Sequence, residues 1–356
     1  MTKRSGAADA ASFWWRKPDR LDWRAALLSP LAAIYGAVAR KRMMQATPPQ
    51  IAMPVLCIGN FTVGGAGKTP TCIAFAQAAT AAGLKPGIVS RGYGGTFRGV
   101  HLVDGTKDTA KLTGDEPLLL ARHAMVAVSA DRFAAAKILQ HHGCDFIIMD
   151  DGFQSMRLHY DYALLVVDAV RGIGNGRIIP AGPVRAPVMT QLQQASALLR
   201  ISPNHLQGDD AALTVIRMAA RANKPFFDAK LVSIAHQPVE GQRYLAFAGI
   251  GNPQKFYSSV QELGGEVVIN RSFGDHYSYR PEDIRLLLND ARNAGLVLAT
   301  TAKDYVRLSQ LGHAAQGDWL KEIAVFDVEL DFGRVNVLER VIKTTRQNYL
   351  DRSLKL

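Results

Sequence analysis

Short apolar runs alternate with helical patterns along most of the chain after the Pro48-Pro49 pair. In the first half, the runs predicted as strands are residues 54–58, 87–90, 125–129, 146–150 and 163–168. Helical patterns fall between them at residues 68–82 and 131–140. This alternation predicts a mostly parallel sheet with helices on both faces.

A second series of the same kind begins near residue 244. Its predicted strands are residues 244–248, 266–269, 297–300 and 323–328, and its predicted helices are residues 253–263, 281–294 and a last one from about 335. Residues 203–240 carry polar turns and weaker patterning, so we place the domain junction there. We therefore predict an α/β protein of two α/β/α sandwich domains, 46–225 and a smaller 226–356 that closes a cleft, preceded by a separate segment, 1–45.

The N-terminal segment has an amphipathic pattern of its own. Fifteen residues without charge, 25–39, contain a one-sided apolar stripe of Leu27, Leu28, Leu31, Ile34, Tyr35 and Val38. Spanning a bilayer takes about 20 apolar residues, so this stretch is short, and it lacks the pattern of a cleaved signal peptide. The pattern predicts a helix lying at a membrane interface, with a helix packed on the core as the alternative.

Composition and charge narrow the class of protein. Of 356 residues, 48% are hydrophobic and 21% charged, which is typical of a folded globular protein and argues against disorder. Three cysteines without C-x-x-C spacing argue against a disulfide scaffold or a thiolate zinc site.

The positive charge is concentrated at the N-terminus. Residues 1–45 hold nine basic and three acidic residues, a net +6 of the chain's +11, together with three of its four tryptophans. Tryptophan beside Arg and Lys favours an anionic, partly apolar partner. We predict a lipid surface and no nucleic acid, because no second basic and aromatic surface follows in the sequence.

A glycine-rich loop follows the first predicted strand and opens the next helix: G-N-F-T-V-G-G-A-G-K-T-P, residues 59–70. Such a loop turns backbone N–H groups toward phosphate oxygens at a helix N-terminus. Its predicted nucleotide-binding residues are Gly64, Gly65, Ala66, Gly67, Lys68, Thr69 and Pro70. Lys68 would reach the β- and γ-phosphates and Thr69 would bind Mg²⁺. The strict P-loop pattern has Gly at position 62, where this chain has Thr62.

Acidic residues follow another predicted strand, in F-I-I-M-D-D-G-F-Q, residues 146–154. Asp150 at the strand end matches the carboxylate that accompanies a P-loop at Mg²⁺, with Asp151 and Gln154 near the metal or its waters. A strand-terminal Asp that caps the next turn is the alternative.

Three further polar motifs are candidates for substrate contact. In T-G-D-E-P (113–117), Asp115 and Glu116 can orient or deprotonate a hydroxyl and support Mg²⁺, or they can simply begin a helix. In S-R-G-Y-G-G (90–95), Arg91 can contact a phosphate or ribose, or the segment can be a structural turn. His276 lies in F-G-D-H-Y (273–277), where a lone histidine is most often a surface loop residue.

These motifs in this order resemble one family, the tetraacyldisaccharide 4′-kinases, which are the lipid A 4′-kinases of Gram-negative bacteria. The other matching stretches are the N-terminal segment 13–35, G-N-G-R-I-I-P-A-G-P-V-R (174–185), F-A-G-I-G-N-P (247–253), D-H-Y-S-Y (275–279) and T-T-A-K-D (300–304). The resemblance covers nearly the whole chain. The chain departs from it at Ser155 and Tyr277, where the family usually has His, and at Ala302, where it has Glu.

The resemblance implies transfer of the γ-phosphate of ATP to the 4′-hydroxyl of a tetraacyldisaccharide 1-phosphate. It implies that Asp115 acts on that hydroxyl with assistance from His276. The residues implied to hold MgATP are Lys68, Thr69, Glu116 and Asp150. It also implies a peripheral or monotopic protein on the cytoplasmic face of the inner membrane, where an acylated substrate is found.

Two other classes of protein stay open at this point. Membrane-associated ATPase switches also carry Gly-Gly-x-Gly-Lys-Thr loops, but with Lys before Gly-Gly, where this chain has Val63. A nucleic-acid-binding protein is supported only by the net charge. A test of whether ATP turnover needs a lipid hydroxyl as acceptor would distinguish the kinase from the ATPase switch and the nucleic-acid-binding protein.

Overall fold

A computed structural model of the chain describes residues 12–16, 22–204, 209–315 and 318–355. The strands in these ranges are β1 (Val55–Asn60), β2 (Pro86–Ser90), β3 (Val100–Leu102), β4 (Met125–Ser129), β5 (Phe146–Asp150), β6 (Tyr162–Asp168), β7 (Ala197–Pro203), β8 (Phe226–Ala235), β9 (Arg243–Ala248), β10 (Glu266–Ser272), β11 (Val297–Thr301) and β12 (Ile323–Asp331).

The α-helices in the same ranges are α1 (Trp23–Leu27), α2 (Ser29–Gln45), α3 (Lys68–Ala81), α4 (Ala110–Thr113), α5 (Asp115–Leu120), α6 (Arg132–His141), α7 (Val188–Gln194), α8 (Leu213–Arg221), α9 (Pro253–Glu262), α10 (Pro281–Asn293), α11 (Ala302–Ala315) and α12 (Val337–Ser353). Short 3₁₀ helices lie at Ser12–Trp15 and Asp318–Glu322.

The first of two compact units comprises the described residues up to Arg91, Ser129–Leu231 and those from Leu330 onward. Its strands are parallel in the order β8-β7-β6-β1-β5-β2. β1 and β5 are buried along their whole length, as expected for central strands covered on both faces. The chain order reverses at β1, and in such sheets ligands bind outside the carboxyl ends of the strands at that point.

The second unit comprises Gly92–Val128 and Val232–Glu329. Its parallel strands follow the order β10-β9-β11-β12. One apolar cluster joins Phe247 and Leu298 to Ile284 of α10, and another joins Tyr244 to Phe256 of α9. Because helices pack on both faces of these strands, this unit is also an α/β/α sandwich.

The predicted fold class is confirmed, and all nine predicted strands are present. The sequence missed β3, β7 and β8, together with helices α4, α7, α8 and α11. β8 lies in the stretch with weak patterning because its first residues alternate between exposed and buried, and its later ones are half-buried. Such a strand lacks the continuous apolar run by which the buried strands were found.

The two units are not continuous in sequence. Residues 92–128 belong to the second unit and α12 to the first, whereas the sequence placed them in domains 46–225 and 226–356, respectively. The predicted boundaries assume that each domain is continuous in sequence, and tertiary packing does not follow sequence order here.

The N-terminal helices α1 and α2 leave most of the apolar stripe exposed, and Leu28, which lies between them, is half-buried. Leu27, Leu31, Ile34 and Val38 are 71%, 58%, 65% and 56% exposed, whereas the buried residues of α2 are Ala32, Gly36 and Met43. Helix α2 therefore does pack on the protein, as the alternative proposed, but through a face other than the stripe. Contact of the exposed stripe with a membrane stays a prediction. Lys3, Arg4, Lys17 and Arg20, part of the predicted basic cluster, lie outside the described residues. Within the described ranges, none of the helices has the length and apolarity needed to cross a membrane.

Candidate active site

The P-loop of the first unit has the backbone that phosphate binding needs. Gly64 and Gly67 have φ of +101° and +91°, and Lys68 begins α3 directly after Gly67. The positive φ favours glycine at position 67, and a Cβ there would lie 2.6 Å from Cδ1 of Ile201, so that side chain would have to shift. The loop thus places its N–H groups at the N-terminus of a 14-residue helix.

The side chains of Asn60 and Gln154 donate hydrogen bonds to the backbone at the start of this loop. The Asn60 side-chain amide donates to the carbonyl of Thr62 at 2.7 Å, and Gln154 donates to the carbonyl of Asn60 at 2.8 Å. Gln154 also donates to Oε1 of Gln191 at 3.0 Å. Gln154, predicted near the metal or its waters, therefore supports the backbone of the loop in this structure.

Asp150 lies at the end of β5, opposite Ile58 of β1 in the strand register. Its buried carboxylate accepts a hydrogen bond from Oγ of Ser90 at 3.1 Å. Asp150 and the hydroxyl of Thr69 are hard oxygen donors of the type that Mg²⁺ prefers. The described residues contain no group of three or more His, Cys, Asp and Glu side chains that could hold a metal by themselves.

Asp151 forms ion pairs with two cationic side chains beside the P-loop. Arg185 donates two hydrogen bonds to its carboxylate, at 2.6 and 3.0 Å, and Nζ of Lys68 lies 3.8 Å away. Arg132 donates to the carbonyl of Asp151 at 3.0 Å. Burial acts to raise the pKa of Asp151, but Lys68 and Arg185 outweigh it and hold that pKa below its usual value. Asp151 therefore orients the two cations nearest the loop.

Asp115 of the second unit is in contact with His276. Nδ1 of His276 lies 3.1 Å from Oδ2 of Asp115, and an ionised carboxylate only accepts, so Nδ1 donates. Asp115 is buried at the start of α5, whereas His276 is exposed and has a φ of +56°. The same Oδ2 also accepts from Arg307. Burial acts to raise the pKa of Asp115, but the guanidinium of Arg307 outweighs it and lowers that pKa.

Two other predicted site residues have different surroundings. Glu116 lies in the second unit with Nζ of Lys303 3.2 Å from its carboxylate, whereas its predicted metal partners Thr69 and Asp150 lie in the first unit. Arg91 is exposed and directly follows β2, as the last residue of its segment of the first unit.

Gly114 fixes the position of Asp115. Its φ of 92° and ψ of 155° are open essentially only to glycine, and an added Cβ would lie 2.5 Å from the backbone oxygen of Tyr93. We expect Gly114→Ala to lower the free energy of unfolding by about 1–3 kcal/mol and to reduce turnover by shifting Asp115. Denaturant unfolding and kinase assays measure this. Gly105→Ala is the control, because its methyl would meet no atom within 4 Å. Equal stability of the two variants would contradict the close approach.

Residues 174–185 connect the N-terminal segment to the P-loop. Trp14 donates to the carbonyl of Pro180 at 3.0 Å, and Arg177 donates to Oγ of Ser29 at 2.6 Å. At the other end of the stretch, the backbone N–H of Arg185 donates to the carbonyl of Phe61 at 2.9 Å. The motif therefore has a structural role that its sequence did not reveal.

Arg132, Arg185 and Arg307 contact site residues, yet the sequence assigned none of them. Arg185 is the last residue of the motif 174–185, which contributed to the sequence-based predictions only as part of the family resemblance. Its place in that motif is the signal that could have identified it. Arg307 follows a stretch taken for a turn, which the structure shows to begin helix α11. Its partner Asp115 lies 192 positions away, so no local pattern could have found it.

The three departures from the family pattern have ordinary surroundings. Ser155 donates to the carbonyl of Gly152 at 2.7 Å, and Tyr277 donates to Oδ2 of Asp283 at 3.1 Å. Ala302 is buried at the start of α11. Neither of these two hydrogen bonds involves Asp115 or His276.

The chain is similar to proteins of one family. The family model described as tetraacyldisaccharide-1-P 4′-kinase matches residues 24–347. The tetraacyldisaccharide 4′-kinases of Brucella suis and Brucella ovis are each 56% identical over 346 residues, which cover 97% of this chain and 99% of each relative. The "apo" form of LpxK from Aquifex aeolicus, solved in complex with ATP, matches with a TM-score of 0.70 and 24% identity. That match covers 91% of this chain and 100% of the other, and it shows the same fold.

Proposed function

The chain belongs to the tetraacyldisaccharide-1-P 4′-kinase family, and from this premise we propose which residues carry the reaction and where it takes place. The enzyme is an ATP-dependent kinase that phosphorylates the 4′-hydroxyl of an acylated disaccharide 1-phosphate in lipid A biosynthesis. The residue roles, the metal and the membrane location below are proposals.

ATP binds at the P-loop of the first unit. The backbone N–H groups of Gly64, Gly65, Ala66 and Gly67 cradle the phosphates, and Lys68 neutralises charge on the β- and γ-phosphates. Thr69 and Asp150 would hold Mg²⁺, with Glu116 as the further ligand that the resemblance implies. The chemistry that Mg²⁺ would supply there is compensation of the negative charge on the phosphates.

Asp115 accepts the proton of the acceptor hydroxyl, and His276 assists it. The observation that carries this assignment is their 3.1 Å contact, which joins motifs 161 positions apart in the chain. Phosphoryl transfer requires little covalent chemistry from the protein and depends on the positioning of the reacting groups. A carboxylate that a second side chain orients can serve as the base. Arg91, Asp151 and Gln154 stay predictions for substrate contact.

The N-terminal stripe binds the cytoplasmic face of the inner membrane, so that the enzyme reaches an acylated substrate there. Two features support this proposal: the exposed apolar face of α2 and the exposed basic run Arg40, Lys41 and Arg42 at its end. Apolar contact and attraction to acidic headgroups together give peripheral binding, at about 1 kcal/mol per basic residue.

Charges on the stripe should release the enzyme from membranes. We expect Leu31→Glu with Ile34→Glu to abolish co-sedimentation with vesicles that contain acidic lipid and to slow phosphorylation of vesicle-held acceptor. ATP binding should be retained. The control is Leu286→Glu, since Leu286 is an exposed leucine of α10. Changing Arg40, Lys41 and Arg42 to Gln should give partial, salt-sensitive release. If the double variant sediments like the control, the stripe is not the membrane contact.

A further inference from the structure

Arg307 bridges two carboxylates in the second unit. The side chain lies buried on α11, with Nη2 donating to Oδ2 of Asp115 and Nη1 donating to Oδ1 of Asp304 at 2.8 Å. Nη1 also donates to the carbonyl of Gly249 at 2.8 Å. One planar guanidinium thus connects Asp115 to a second, deeper carboxylate.

Asp304 is anchored on its other sides. It is fully buried and accepts from the N–H of Gly249 at 3.1 Å, from the hydroxyl of Tyr279 at 3.0 Å and from that of Thr301 at 2.7 Å. Because these donors come from separate elements of the unit, the carboxylate has little freedom to rotate. Arg307 is therefore fixed at the end that faces away from Asp115.

The two oxygens of Asp115 have different partners. Oδ2 accepts from both Arg307 and His276, whereas the partner of Oδ1 is the backbone N–H of Glu116 at 3.1 Å. A carboxylate oxygen has two lone pairs, so with the described residues Oδ1 has one left for a further hydrogen bond. The network therefore distinguishes a held oxygen from an oxygen that can meet a substrate group.

We propose that Arg307 is a positioning residue for phosphoryl transfer, which holds Oδ2 of Asp115 so that Oδ1 receives the proton of the acceptor hydroxyl. The inference rests on the proposed role of Asp115. As the acceptor O–H bond breaks, its electron pair forms the new bond to the γ-phosphorus and the proton moves to Oδ1. The bond between the γ-phosphorus and the β,γ-bridging oxygen breaks, and ADP leaves with the electrons of that bond. In this role Arg307 acts through Asp115 and does not itself take the proton.

The test is the kinetics of Arg307→Ala with ATP and a vesicle-held acyl disaccharide 1-phosphate. Misplacement of a reacting group by about 1 Å costs about a hundredfold in rate, so we expect kcat to fall about that much. KM for ATP should stay unchanged, because Arg307 donates to Asp115, Asp304 and Gly249, and none of these is proposed to bind ATP. Added guanidinium ion should restore part of kcat, which a loss of folding would not permit.

Two further variants keep the test valid if Arg307→Ala folds poorly. Arg307→Lys keeps the charge but not the planar fork, so it should retain more turnover than Arg307→Ala. Asp304→Asn loosens the anchor and should lower kcat without changing KM for ATP. Arg292→Ala is the matched control, since Arg292 pairs with Glu322 on the exposed surface of the same unit and should turn over normally.

Asp115→Asn, measured in parallel, separates this inference from the proposed role of Asp115. If Asp115→Asn is inactive while Arg307→Ala keeps normal kcat, the positioning role fails alone. If Asp115→Asn itself turns over normally, the assignment of Asp115 fails. A folded Arg307→Ala that loses activity through KM for ATP, or that guanidinium does not restore, also overturns the positioning role.

Discussion

Lys68→Ala should lower kcat at saturating MgATP by about a hundredfold or more while leaving the fold intact. Lys68 is the cation of the P-loop, and loss of one charge contact to the transition state typically costs about that much. The fold should survive because Asp151 keeps its two hydrogen bonds to Arg185 when Lys68 is removed. Steady-state kinase assays and thermal unfolding of the purified variant measure the two quantities.

The matched control is Lys85→Ala, since Lys85 is an exposed lysine of the first unit outside the P-loop. It should turn over like the unaltered enzyme. Near-normal kcat for Lys68→Ala would show that the loop does not bind the transferring phosphate in the proposed way.

Asp115→Asn and His276→Asn should each lower kcat, with little change in KM for ATP. Asn keeps the shape of Asp115 but is a far weaker base, so general-base catalysis predicts a loss of about a hundredfold to ten-thousandfold. At position 276, Asn tolerates the observed φ of +56° and so removes the imidazole without adding backbone strain. Initial rates at varied ATP and varied acceptor separate the two constants.

The double variant tests whether the pair acts as one unit. Residues that share one step give non-additive losses, so the double variant should be little worse than Asp115→Asn alone. Losses that multiply would show that Asp115 and His276 serve separate steps.

The local parts of the site were predictable because short motifs encode them. The P-loop and the Asp150 strand end each combine an apolar run with the residues that follow it, and both lie where the sequence placed them. The contact of Asp115 with His276 came from the family resemblance, since no spacing rule relates residues 161 positions apart.

Arg307 was not predictable, because its partner Asp115 lies 192 positions away in the sequence. Arg307 faces Asp115 only because α11 packs in the second unit, and that helix itself was missed. Membership of residues 92–128 in that unit likewise depends on tertiary packing and not on sequence order.

The N-terminal helix shows what a periodic apolar pattern can predict and what it cannot. The apolar stripe of α2 was visible in the sequence, but an apolar stripe predicts burial and membrane contact equally well. The structure shows that the stripe is not buried, because Ala32 and Gly36 face the protein and the stripe does not. Contact of the stripe with a membrane stays a prediction. Small residues permit the close approach: a Cβ on Gly36 would lie 2.7 Å from Cδ1 of Ile178.

The most direct test of the proposed phosphoryl transfer measures where the γ-phosphate of ATP goes. Radiolabelled ATP is incubated with the full chain and a tetraacyldisaccharide 1-phosphate, or with the same lipid lacking its 4′-hydroxyl. If the enzyme is a 4′-kinase that uses Lys68 and Asp115 as proposed, we expect label on the disaccharide only when that hydroxyl is present. The variants Lys68→Ala and Asp115→Asn should lose this label. Release of label as inorganic phosphate at equal rates with either lipid, and none on the disaccharide, would contradict the proposed transfer and indicate an ATPase switch instead.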